Sequence, residues 1–131
     1  MSLGEGPYYT FYRRYHLCIV ATPISVAEAV LYSESTIVSK RMVSEVVAVA
    51  KRDLKPGDVV GQIGEADFLG RTYIYEEAKA QQAVPLGVVP GGKVTQAIAK
   101  GDLLTEANFA PDTDKFVYKL RQMQDAHLAS T

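Results

Sequence analysis

The chain has 131 residues, 47% of them hydrophobic and 22% charged, which is the composition of a single folded domain with room for a helical extension. Fourteen basic residues against fifteen acidic ones leave a net charge of −1, so there is no cationic excess to neutralise a phosphate backbone, and nucleic-acid binding is disfavoured. One cysteine cannot form an intramolecular disulfide and suits a reducing cytosol. No apolar run approaches the roughly 20 residues of a membrane span, and the opening "MSLGEGPYYT" lacks the charged and apolar regions of a secretory signal.

Taken in chain order, residues 1–6 read as an added leader or a disordered end, and residues 7–42 as an aromatic segment followed by a short helix. "PYYTFYRRYHLCIV" clusters Tyr8, Tyr9, Tyr12 and Tyr15 around Arg13, Arg14 and His16. Guanidinium forks match carboxylates and phosphates, and histidine moves protons near neutral pH, so these three residues are the candidate substrate contacts. The competing reading has the tyrosines packed and the arginines lying over them. On a strand, Arg13 and Tyr15 share one face, and Arg14 and His16 the other. Thr22-Pro23 then offers a cap and a first helical residue, and Ile24, Ala27, Val30 and Leu31 predict a helix over residues 23–33.

From Met42 onward the texture is β-branched and broken by turns. "MVSEVVAVA", "VVGQIG", "GRTYIYEEA", "AVPLGVV" and "KVTQAIA" read as short strands between glycines and prolines, with "YEEAKAQQA" open to a helical turn or two. Beyond Pro111, Phe116, Leu120, Met123 and Leu128 recur near helical spacing. They predict an amphipathic helix within residues 111–131, capped by Asp112 or Thr113 and with its apolar stripe buried.

Two stretches repeat. "AVAKRDLKPGDVV" and "AIAKGDLLTEANF" place Lys51 and Lys100, Asp53 and Asp102, and Leu54 and Leu103 at one constant offset. Each copy is an apolar run ending in lysine, an aspartate able to accept backbone N–H groups in a turn, and a leucine expected to return to the core. Chance recurrence of common vocabulary competes with duplication of a strand-and-turn unit, and the shared context before and after each copy favours duplication.

At these residues the chain resembles the SAF domain, the antifreeze-like β-clip module. "AKRDLKPGDVV" at 50–60 and "GKVTQAIAKGDLLTEANF" at 92–109 match the two halves of its pattern, and the resemblance covers residues 43–110. It implies a mainly β fold with flanking helices: a pseudo-duplicated β-clip cluster of short strands. The flanks "YYTFYRRYHL" and "TPISVAEAV" are similar to the C-terminal part of homoserine-dehydrogenase-like NAD(P)-dependent oxidoreductases, which include a reductoisomerase-like branch. In those proteins a Rossmann domain and a catalytic domain precede the SAF-like one, and NAD(P) is bound by the former. No G-x-G-x-x-G lies between a strand and a helix here, so the resemblance implies a non-catalytic C-terminal piece, with no cofactor of its own, that shapes an active-site surround or an oligomer interface. Homo-oligomers, a cytoplasmic location and the missing N-terminal domains as partners follow as expectations. A free-standing carbohydrate-binding module is the alternative, with Tyr73, Tyr75 and Gln62 as contacts.

The remaining candidates carry less chemistry. His16 and Cys18 form an H-x-C pair, but the chain's other histidine, His127, falls in the predicted terminal helix, so a full metal ligand set is not expected. Cys18 sits among Leu17, Ile19 and Val20 and reads as a buried, inert thiol. Glu76 and Glu77 are adjacent and diverge on any regular element, which makes them a solvated face. "VVPGGKV" lacks phosphate-loop spacing and reads as a hairpin.

Overall fold

The computed structural model describes residues 12, 17–38 and 41–129, and the chain divides into two compact units, Met1–Lys40 and Arg41–Thr131. In the first unit the one described element is α1 (Cys18–Tyr32). It begins more than a turn before the expected start, after an extended Leu17, and runs through Pro23 instead of starting there. Thr22 is therefore an interior residue and caps nothing. The helix closes at Ser33, whose left-handed backbone (φ 56°) lets its N–H donate to the Glu28 carbonyl. Thr36 Oγ1 then donates to Glu28 Oε2 at 2.6 Å. No residue of α1 is buried, so Cys18 is an exposed thiol and not the core cysteine its apolar neighbours suggested.

The second unit is built on β1 (Ser44–Ala50) and β2 (Phe68–Ile74), paired antiparallel from Ser44 opposite Ile74 to Ala50 opposite Phe68. β2 runs directly into α2 (Tyr75–Ala80), which ends where Gln82 takes a left-handed turn (φ 50°) with its carbonyl held by the Glu106 N–H. A single helical turn over Leu86–Val88 follows. Then β3 (Lys93–Val94) and β4 (Phe109–Ala110) pair as a second antiparallel sheet, and α3 (Phe116–Ala129) ends the unit. The described residues thus hold short strands in two small antiparallel sheets together with helices, a mixed α/β body and not a mainly β one. Much of the expected strand content is present only as single bridges, at Val47–Pro85, Val49–Leu103, Leu54–Ile98, Val59–Lys93 and Ala83–Thr105.

Those bridges bring the repeated stretches together. Moving Val49 forward and Leu103 back by the repeat offset turns the Val49–Leu103 bridge into the Leu54–Ile98 bridge. The exchange is approximate. Leu54 and Ile98 trade N–H and C=O directly, at 2.8 and 3.0 Å, whereas Val49 and Leu103 lie between the bonds made by Ala48 and Ala50 to Leu104 and Asp102. Neighbouring residues of an extended chain face opposite ways, so the second copy buries Leu104 and leaves Leu103 half-buried, against the expectation for Leu103. The aspartates part company too. Asp53 Oδ1 accepts the Lys100 N–H at 2.8 Å, locking one copy to the other, while no described residue donates to the Asp102 carboxylate. Glycine supplies the left-handed step in each corner, Gly57 (φ 96°) after Asp53 and Gly101 (φ 94°) before Asp102.

The core lies where the copies and the second sheet meet. Ala48, Ala50, Leu54, Phe68, Leu104 and Phe109 are almost fully enclosed with a set of valines and Ile98, and no polar side chain is buried with them. Enclosing each of the larger side chains is worth about 1.5–3 kcal/mol. The first corner is clamped from outside by Arg52, whose Nε donates to Asp67 Oδ1 at 2.9 Å and whose Nη1 donates to the Asp53 carbonyl at 3.0 Å.

Candidate functional site: the cleft beside Arg121

Two features of the second unit aim polar side chains at one place. β1 is apolar from Val46 to Ala50, but Glu45 precedes that run on the face opposite Ala48 and Ala50. α3 carries Arg121 one turn before Asp125, and Arg121 Nε donates to both Asp125 oxygens, at 2.9 and 3.0 Å. Its Nη1 reaches Glu45 Oε2 at 2.5 Å, with only 19% of the arginine and 12% of the glutamate side chain exposed. Burial works against the Arg121 charge, but its hydrogen bonds to Asp125 and Glu45 outweigh that and hold its pKa above the usual arginine value.

The ion pair lines two depressions. A cleft of about 540 Å³ is lined by Glu45, Arg121, Asp125 and Leu128, by Tyr75, Glu76 and Lys79 of α2, and by Gln82 and Glu106 beyond it. That size is within the range of small-ligand sites. The second, of about 430 Å³, opens between Pro85, Val88, Val117 and Leu120. Tyr75 is fixed at the cleft by its N–H, which donates to the Val43 carbonyl at the end of the ladder. The lining offers carboxylates, an amide, an ammonium and one aromatic ring, and no cysteine, serine or histidine. Such a surface can bind and orient polar groups.

α3 docks differently from the expectation. The side it turns inward carries Tyr118, Arg121 and Leu128, with Tyr118 against the core, and just before the helix Lys115 Nζ donates to the Pro90 carbonyl at 2.6 Å. Phe116 and Met123 of the predicted buried stripe are 72% and 68% exposed. The polar anchors set the rotation of the helix, so of the predicted stripe Leu128 turns inward while Phe116 and Met123 are exposed. Arg121 sits mid-helix as an ion-pair partner, and Asp112, before the helix, accepts the Asp114 N–H at 3.1 Å.

Arg13, Arg14 and His16, the candidate substrate contacts, lie outside the described residues, as do Tyr8, Tyr9 and Phe11. Of the candidate sugar contacts, Tyr75 lines the cleft, while Tyr73 on β2 and Gln62 in the 61–67 loop do not. Glu76 and Glu77 are both exposed, and Glu76 reaches the cleft rim. Among the described residues no group of histidine, cysteine or acidic side chains is arranged to hold a metal, and no helix is long and apolar enough to cross a membrane. Glu45, Arg121 and Asp125 were not singled out as a site from sequence. The signals were a lone carboxylate ahead of a β-branched run and an arginine four residues before an aspartate. No protein-family model matches the chain, and no curated protein matches it.

Proposed function

We propose that this chain is a non-catalytic holding module: a SAF-like β-clip unit belonging to an NAD(P)-dependent oxidoreductase of the homoserine-dehydrogenase-like or reductoisomerase-like kind. It acts by shaping the active-site surround or by holding subunits together. The observation that carries this reading is the exchange of the two repeated corners, Val49–Leu103 for Leu54–Ile98, tied by the Asp53 carboxylate to the Lys100 N–H. A body made this way spends its polar side chains on its own turns, as Arg52, Asp53 and Asp67 do. In the whole enzyme the Rossmann and catalytic domains bring NAD(P) and the reacting groups, and Arg13, Arg14 and His16 contact an anionic substrate. The test is the genomic reading frame that encodes this chain. A continuous frame running upstream through a strand, G-x-G-x-x-G and a helix is expected; a frame opening close to Tyr8 overturns the proposal.

A second reading, a free-standing carbohydrate-binding module, is favoured by one observation: Tyr75 offers a ring beside Glu76, Gln82 and Glu106 in a cleft of suitable size. An amide-resolved NMR titration with sialic acid separates the two. Saturable shifts at these four residues support the sugar module, and their absence supports the holding role.

A further inference from the structure

β1 and β2 make a two-stranded sheet with unequal edges. Along β1, Ala48 N–H donates to Val84 and Ala50 N–H to Asp102, while Leu104 and Gly101 N–H groups donate back to the Ala48 and Ala50 carbonyls. That edge is filled. Because Ala48 and Ala50 spend their groups away from β2, the alternation of an antiparallel ladder directs Leu69, Arg71 and Tyr73 toward β1 and Gly70, Thr72 and Ile74 outward. No hydrogen bond reaches the outward backbone of Gly70 or Thr72 from the described residues, and residues 69–72 are all exposed. Seven residues long, with no proline and no lysine, this edge carries a single charged side chain, Arg71, to keep another strand off.

We infer that the outer edge of β2 pairs antiparallel with β2 of a second copy of this chain, on a two-fold axis through Thr72. The strand's own side chains select both the occupant and the register. With Arg71 on the axis, two guanidinium groups would face each other, which is repulsive. With Thr72 on the axis, the two Thr72 backbones exchange both hydrogen bonds, and each Ile74 N–H meets the partner's Gly70 carbonyl. Each Arg71 then lies opposite the partner's Tyr73, a cation and a ring in contact twice over by symmetry. Arg71 has no hydrogen-bond or ion-pair partner among the described residues, so nothing must be broken first. This surface gives the holding role a location and rests on that reading for its purpose alone.

The full chain, with Cys18→Ser to remove the exposed thiol, is examined by sedimentation from micromolar to millimolar concentration. A reversible dimer is expected. Thr72→Pro, which deletes an outward donor only, and Arg71→Glu, which leaves the backbone intact, should each weaken it roughly tenfold or more, about 1.4 kcal/mol. Oxidised Thr72→Cys in the same background should cross-link, because directly bonded pairs hold Cα atoms about 5.5 Å apart, within disulfide reach. Circular dichroism of each variant shows that it is folded. A chain monomeric at millimolar concentration overturns the inference and leaves the active-site-surround role standing. A dimer indifferent to both substitutions and without the cross-link also overturns it, and moves the interface elsewhere.

Discussion

Asp53 and Asp102 occupy matched places in the two repeats, and only one of them works across the repeat. The Asp53 carboxylate takes the Lys100 N–H, so Asp53→Ala should lower stability by about 1 kcal/mol in urea unfolding. Asp102→Ala should stay within about 0.5 kcal/mol of the parent. Equal losses would mean that the carboxylates are interchangeable. Asp67 sets the acid limit of the same corner. The Gly61 N–H, donating to Oδ2 at 2.8 Å, and then Arg52 hold its pKa below the usual aspartate value despite burial. A carboxylate depressed in the folded state gives its full stabilisation above its unfolded pKa, near 4, and loses it as pH falls through the lower folded value. Urea unfolding should therefore show stability dropping below about pH 4, and Asp67→Asn should flatten that limb. The constant spacing of Lys, Asp and Leu was enough to locate the two corners. It was not enough to show that Leu104 takes the buried place, since a shift of one residue turns on hydrogen-bond phase between distant segments.

At the scale of elements, periodicity found α3 but aimed it wrongly. Phe116, Leu120, Met123 and Leu128 satisfy the helical repeat, and Leu128 does turn inward, yet the rotation that exposes Phe116 and Met123 is fixed by Arg121 on Glu45, Lys115 on Pro90 and Tyr118 on the core. None of these partners is near in sequence, which is why the stripe alone misled. α1 failed differently: Thr22-Pro23 has the grammar of a helix start, and the helix forms through it from Leu17 onward. The weight of the polar anchor is measurable. Arg121→Ala leaves the enclosed Glu45 oxygen without its cation and should cost about 2 kcal/mol, between the values for exposed and fully buried pairs. Glu45→Gln with Arg121→Met should recover more than half of that in the same urea assay, because no unpaired charge is left behind. Failure of the double variant to recover would place the effect in lost packing.

For the molecule as a whole, the division at Lys40 makes Arg41–Thr131 a body with its own core, both sheets and α3. A chain beginning at Arg41 should unfold cooperatively with a Tm within about 5 °C of the full chain, a difference of roughly 1 kcal/mol at this size. A larger fall would mean that the first forty residues help to hold the second unit. The change of texture at Met42 made two regions legible. The mixed α/β character was less so, because single bridges such as Ala83–Thr105 leave no alternating pattern to read.

Interleaving the two repeats also imposes an order on synthesis. Ala48 waits for Val84 and Leu104 on the edge away from β2, so the most apolar strand leaves the ribosome well before the segments that fill that edge exist. The whole stretch from Lys51 to Leu104 must be translated before that edge is filled, a window in which a nascent-chain chaperone has a binding site and an aggregate has a seed.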